Sequence, residues 1–204
     1  MQLSENKHLL GTIKITQIQP SGLIVETPSG EIYDPSRLLQ VERLFLTHQG
    51  IEVKSPNGEL ILDIHHTNHP QTHGKGYNAI SVGFSAHYRQ MRADFGDHMV
   101  DGIAGENIII QSEELVWLAD LGDQVLVEGP SGRRQVLLDV KKIAAPCEEF
   151  SHFAANSQGK RLPAGELKET LKLLGDGRRG FLLALNPDQE AIFVQPGDFV
   201  FALR

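Results

Sequence analysis

Residues 124–143 read QVLVEGPSGRRQVLLDVKKI. The centre, Gly129-Pro130-Ser131-Gly132, is turn chemistry, because Pro fixes one backbone angle and Gly supplies positive φ. The flanks are rich in Val, Leu and Ile, which suit a pleated surface. The spacing predicts a hairpin with strands over Gln124 to Glu128 and Arg134 to Ile143. The same grammar recurs upstream, at Thr27-Pro28-Ser29-Gly30 and Ser55-Pro56-Asn57-Gly58.

Working outward, further strands are expected at Thr12 to Ile18, Leu23 to Glu26, Arg43 to Thr47, Ile51 to Lys54 and Glu59 to Ile64. Others are expected at Glu106 to Ile110, Gly180 to Leu185, Ala191 to Val194 and Phe199 to Leu203. Helices are fewer. One is expected from a Ser85 cap to Phe95, closed by Gly96. A second runs from Ala164 to Leu174, where Leu167, Leu171 and Leu174 recur at helical spacing before Gly175. A short helical turn is expected to begin at Pro146. The fold class is mainly β with some α, a closed or nearly closed antiparallel β-barrel with a few peripheral helices, in one domain over residues 1–204.

The 204 residues are 40% hydrophobic and 22% charged, the composition of an ordinary globular chain large enough to bury a core without disulfides. A formal net charge of −7 argues against a general nucleic-acid surface but leaves room for a local basic pocket. No apolar run is long enough for a membrane span, and Lys7, His8, Gly11 and Lys14 interrupt the N-terminal apolar residues before a signal peptide develops. The single cysteine cannot form an internal disulfide, so a reducing cytoplasm and a free thiol are expected. Nothing in the sequence sets an oligomeric state.

That cysteine, Cys147, stands in Lys141-Lys142-Ile143-Ala144-Ala145-Pro146-Cys147-Glu148-Glu149-Phe150. At the start of a helix a sulfur meets backbone N–H groups and the positive end of the dipole, which favour thiolate, and Lys141 and Lys142 would add to that. Glu148 and Glu149 oppose it. The alternative is a small buried apolar filler. Upstream, Gly102-Ile103-Ala104-Gly105-Glu106-Asn107-Ile108-Ile109-Ile110 describes a tight turn that delivers Glu106 and Asn107 to the mouth of a strand. These two either bind a ligand or tie down the turn.

Residues 65–77, HHTNHPQTHGKGY, form the longest stretch without an apolar pattern, a natural functional loop. His65, His69 and His73 are spaced four apart, but Pro70 breaks the helix that would align them. A divalent metal site could still assemble from Asp63, His65, His66, His69 or His73 across the loop, the mark of a metal-dependent enzyme or hydrolase; alternatively one imidazole tunes the Cys147 proton, or the loop is only solvated. Trp117 and its leucine neighbours are expected at a core edge. Tyr88, Arg89 and Arg92 are expected on the solvent side of the first helix.

Four short motifs occur in order: GIAGENIII, then Leu121-Gly122-Asp123, then the 140–143 strand leading to Pro146-Cys147, then Gly177-Arg178-Arg179-Gly180-Phe181. Together, over roughly residues 100–185, they resemble the MOSC domain, named for the C-terminal part of molybdenum cofactor sulfurase. The resemblance implies a β-barrel, and a Cys147 that carries sulfur as a persulfide or contacts molybdenum cofactor. It implies a pocket shaped by Gly105, Glu106, Asn107, Arg178 and Arg179, with Lys142 beside it, a small-molecule cofactor (molybdopterin) or a sulfur donor or acceptor protein as partner, and sulfur-transfer or cofactor-dependent activity. Pyridoxal phosphate has no lysine motif here. Two features depart from the family: Ala144-Ala145 stand where many members have arginine before Pro-Cys, and the usual upstream Gly-Asp-x-His is replaced by the histidine-rich loop. A barrel that kept the fold and lost the chemistry, a non-catalytic binding domain, is the remaining alternative.

Overall fold

The computed structural model describes residues 7–28, 30–72, 80–157 and 160–203. In chain order the elements begin β1 (Lys7–Ile18), β2 (Ile24–Thr27), β3 (Gly30–Tyr33), β4 (Leu39–Gln40), β5 (Leu44–Thr47), β6 (Gly50–Lys54) and β7 (Leu60–Leu62). They continue β8 (Ile80–Phe84), α1 (Ser85–Phe95), β9 (Ile108–Gln111), α2 (Leu118–Leu121), β10 (Gln124–Glu128), β11 (Gln135–Ile143) and α3 (Glu148–Ala154). The last are α4 (Ala164–Leu174), β12 (Phe181–Leu185), β13 (Ile192–Val194) and β14 (Phe199–Leu203). No helix among the described residues is long and apolar enough to cross a membrane.

The expected hairpin forms: Gln124 pairs with Asp139 and Glu128 with Gln135, and the Gly129 N–H reaches the Arg134 carbonyl at 2.9 Å. From it the sheet runs β14-β10-β11-β12-β8-β9-β1, and a β14–β1 pairing closes it into a seven-stranded barrel. The barrel is mixed rather than antiparallel, because β8 and β9 pair in parallel, Val82 with Ile108 and Phe84 with Ile110. Parallel neighbours need a crossover, and here it is α1 followed by the glycine-rich 96–107 segment. The crossover carries the GIAGEN turn out of the barrel wall and back into β9. A second sheet, β13-β5-β6-β7, and the β2–β3 hairpin complete the β-structure.

Strand alternation divides the apolar residues into two cores. Ile108 and Ile110 face inward with Phe84, Val82, Phe181, Leu183 and Leu138 and fill the barrel. Ile109 faces outward, where it joins Tyr33, Tyr88, Met91, Met99, Phe150 and Leu174 beneath α1, α3 and α4. Helix α1 corrects two expectations. Its N-cap is Phe84, with no side-chain cap bond, and the Ser85 hydroxyl donates instead to the Ser112 carbonyl. Tyr88 is fully buried, because the face that carries Tyr88 and Met91 packs on the second core.

Candidate functional site

The cleft lies on the outer face of the barrel, against the second core. Cross-strand partners share a face, so Ser81, Leu182 and Lys142 form one row across β8, β12 and β11. Ser81 and Leu182 line a cleft of about 500 Å³, together with Ala144 from the same face of the 142–144 segment. Gln19, Leu23, Tyr33, Ile64 and His65 also line it, as do Gly105, Glu106, Cys147 and Arg179. Lys142 is exposed and stands beside this row rather than in the cleft.

The Gly102–Glu106 turn is held by its carbonyls. Gln17 Nε2 donates to Gly102 and Glu106, each at 2.7 Å, and Gln19 Nε2 donates to Gly105 at 2.7 Å. The Tyr33 hydroxyl donates to Ile103 at 2.8 Å, and Arg179 Nη2 donates to Ala104. Gly105 has φ of 93°, and a Cβ there would lie 2.8 Å from Gln19 Nε2, so only glycine fits the approach. These partners lie on β1, β3 and after α4, far from the turn in sequence, and no local pattern marks them.

Glu106 is almost fully buried. Its Oε2 accepts from the Tyr88 hydroxyl at 2.6 Å, and its Oε1 has no partner and lies against Gly83, where a Cβ would come within 3.0 Å of it. Burial raises its pKa above the ordinary carboxylate value, and the Arg179 cation and the Tyr88 bond pull it back only in part. Asn107 departs from expectation. Its Oδ1 accepts from the Ser81 N–H and hydroxyl, and its Nδ2 donates to Gln17 carbonyl oxygen and to Asp63 Oδ2 at 2.9 Å. All its capacity is committed to tying β8, β1 and the 63–65 segment together, and it does not line the cleft.

Cys147 is half-buried, lines the cleft and is the N-cap of α3, its Sγ accepting from the Phe150 N–H at 3.5 Å. The expected thiolate is not what this environment favours. Burial pushes the thiol pKa up, outweighing the Phe150 amide and the Arg179 charge, and Glu149 adds to the rise. The resting sulfur at neutral pH is the thiol.

Adjacent arginines have separate roles. Arg178 pairs with Asp94 of α1 at 2.9 Å, which turns it away from the cleft. Arg179 enters the cleft wall, where its guanidinium lies 4.6 Å from the Phe150 ring centroid and reaches the carbonyls of Ala104 and Ala145. It thus straps the GIAGEN turn to the segment before Cys147, and it brings to Ala145 the positive charge that the sequence lacks there. Gly180 makes this position possible: with φ of 92°, its Cβ would meet the Val82 carbonyl at 2.1 Å.

The histidines of the loop do not converge. His65 Nδ1 bonds Asp63, His66 Nε2 bonds Glu52, and His69 Nε2 faces the Pro20 carbonyl at 3.1 Å. Among the described residues no three His, Cys, Asp or Glu side chains gather as metal ligands. His73 lies outside the described residues. Of the loop, His65 and Gln71 reach the cleft.

Comparison with known proteins places this geometry. No curated protein matches the chain. Among solved structures, the YuaD protein of Bacillus subtilis superposes with a TM-score of 0.52 at 14% identity, covering 94% of this chain and 100% of that one. A structure described as a hypothetical protein gives a TM-score of 0.51 at 13% identity, covering 95% and 68%. YiiM from Escherichia coli gives 0.45 at 15% identity, covering 81% and 64%. The first two likenesses support the shared fold. The model of the MOSC domain matches residues 69–201, which include the Gly-Glu-Asn bend, Cys147 and Arg179. That match spans well over half of the sequence, and the protein belongs to the MOSC domain family.

Proposed function

We propose that this MOSC protein is a sulfur carrier of the sulfurtransferase type, in which Cys147 receives sulfane sulfur from a donor and passes it to an acceptor. One observation carries the reading: the chain's single thiol lines a cleft of about 500 Å³ beside Glu106 and Arg179. A thiol so placed is reachable by a small persulfide or by the reactive end of a partner protein. The walls are largely apolar. A lone free thiol suits a reducing compartment such as the cytoplasm.

Molybdopterin, the second reading, fits the cleft less well. An anionic phosphate calls for free cationic donors. Among the described residues Arg178 is held by Asp94 and Arg179 by two carbonyls and a ring, leaving Lys142 beside the row. The thiol suits a soft metal, and for an anion the described cleft residues offer Arg179, of which Nε alone is without a partner.

The test is intact mass after incubation with a small-molecule persulfide. Wild type is expected to gain one sulfur atom that dithiothreitol removes, and Cys147→Ser to gain none. Protein that never gains sulfur but is isolated with a molybdopterin absorbance would replace the first reading by the second.

A further inference from the structure

Asp63 and His65 lie outside the residues that the family model matches. Their arrangement is nonetheless built. Asp63 is fully buried and accepts four hydrogen bonds: Oδ2 from the Gln19 N–H and Asn107 Nδ2, Oδ1 from the His65 N–H and His65 Nδ1, all at 2.9 Å. Its contact with Nδ1 sets the orientation of the imidazole ring. The His65 side chain is 51% exposed and lines the same cleft as Cys147. With Nδ1 engaged by Asp63, Nε2 is the ring nitrogen left for another partner.

The cleft needs such a group. Cys147 rests as a thiol, so any bond formed at its sulfur releases a proton. Among the described residues Glu149, on the first turn of α3, also meets the Cys147 side chain and is the rival acceptor, and the remaining ionisable side chains around the cleft are poorly suited to take the proton. Arg179 is a cation, Tyr33 donates its hydroxyl to Ile103, and Glu106, though at the cleft, is almost fully buried with Oε2 held by Tyr88 and Oε1 packed against Gly83. His66 and His69 turn to Glu52 and Pro20.

We propose that His65, oriented by Asp63, is the general base of the cleft, accepting through an intervening water the proton that Cys147 gives up when its sulfur forms a bond. This rests on the reading of Cys147 as the reacting atom. With a persulfide donor the step balances without an oxidant. The Cys147 S–H bond breaks and its proton passes to His65 Nε2. Sγ bonds the outer sulfur of the donor, the donor S–S bond breaks, and the departing thiolate recovers the proton from His65.

The experiment is the pH dependence of Cys147 alkylation by iodoacetamide, followed by mass, in wild type, His65→Asn, His65→Gly and Asp63→Asn. At about pH 7 wild type should react on the order of tenfold to a hundredfold faster than His65→Asn, with the two converging in alkali, where hydroxide ionises the thiol directly. Added imidazole should restore part of the rate to His65→Gly. An Asn variant whose profile overlays wild type, or whose rate is lowered equally at every pH with no imidazole rescue, overturns the proposal, as does a Glu149→Gln variant that alone shows the loss near pH 7. Asp63→Asn should fall between; if circular dichroism shows it unfolded, the His65 variants decide alone. Alkylation uses no sulfur donor, so a His65-dependent profile in a protein that never gains sulfur would refute the carrier reading and leave this one standing.

Discussion

The two faces of the barrel wall make opposite uses of the same strands. Inside, Phe84, Val82, Ile108, Leu138 and their neighbours leave a void of only about 10 Å³, too small for any ligand. Outside, one residue further along the same strands, Ser81, Leu182 and Ala144 floor a cleft of about 500 Å³. The lumen is a packed support, and chemistry is confined to the side where a crossover loop and three helices add a second, partly polar layer.

The contrast can be broken from the inside first. Phe181→Ala, at a fully buried lumen position packed against Phe84, should cost about 4 kcal/mol in denaturant unfolding. A loss below about 1 kcal/mol would mean that the lumen is not the support described.

Acid should act next. His87 is fully buried among Phe84, Trp117 and Phe181, accepts from the Val116 N–H, and has its pKa lowered to about 4, chiefly by burial. Below its unfolded value the open chain binds a proton that the native state refuses. Its contribution is therefore full above about pH 6.5 and is lost as pH falls toward the folded value, about 3 kcal/mol in all. The difference between wild type and His87→Gln in chemical denaturation across that window isolates it from the carboxylates. A constant difference would refute the assignment.

On the outer side, Tyr88→Phe removes the hydroxyl that donates to Glu106 and accepts from the Ala104 N–H at 3.1 Å. It should cost about 2 kcal/mol by leaving buried groups unpaired, and should further raise the Glu106 pKa, readable by carboxyl titration in NMR. The smallest effect on stability belongs to the most reactive atom: Cys147→Ser keeps an N-cap oxygen for α3 and should change unfolding by no more than about 0.5 kcal/mol while abolishing all labelling.

The hairpin strands were legible because Gly-Pro-Ser-Gly and its relatives punctuate them locally. Strand β8 was not, since Ile80–Phe84 is short, follows a polar loop and takes its identity from a parallel partner beyond α1. The expected antiparallel barrel became mixed for that reason. The ordered motifs name Gly105, Glu106, Cys147 and Arg179, which the structure brings to one cleft. Asn107 and Arg178 belong to the same motifs, yet their neighbours in space, Ser81, Asp63 and Asp94, draw them into support roles. Gln17, Gln19, Tyr33 and Tyr88 carried no signal, because a side chain that caps a distant carbonyl looks like any other polar residue on a strand or helix.

The dense capping of the Gly102–Glu106 carbonyls bears on transplantation. A protein engineer who moved that five-residue bend onto another barrel would bring a row of bare backbone acceptors into a dry setting. The portable unit is the bend plus Gln17 of β1 and Gln19 just after it, the β3 tyrosine and the strapping arginine, drawn from four places in the chain.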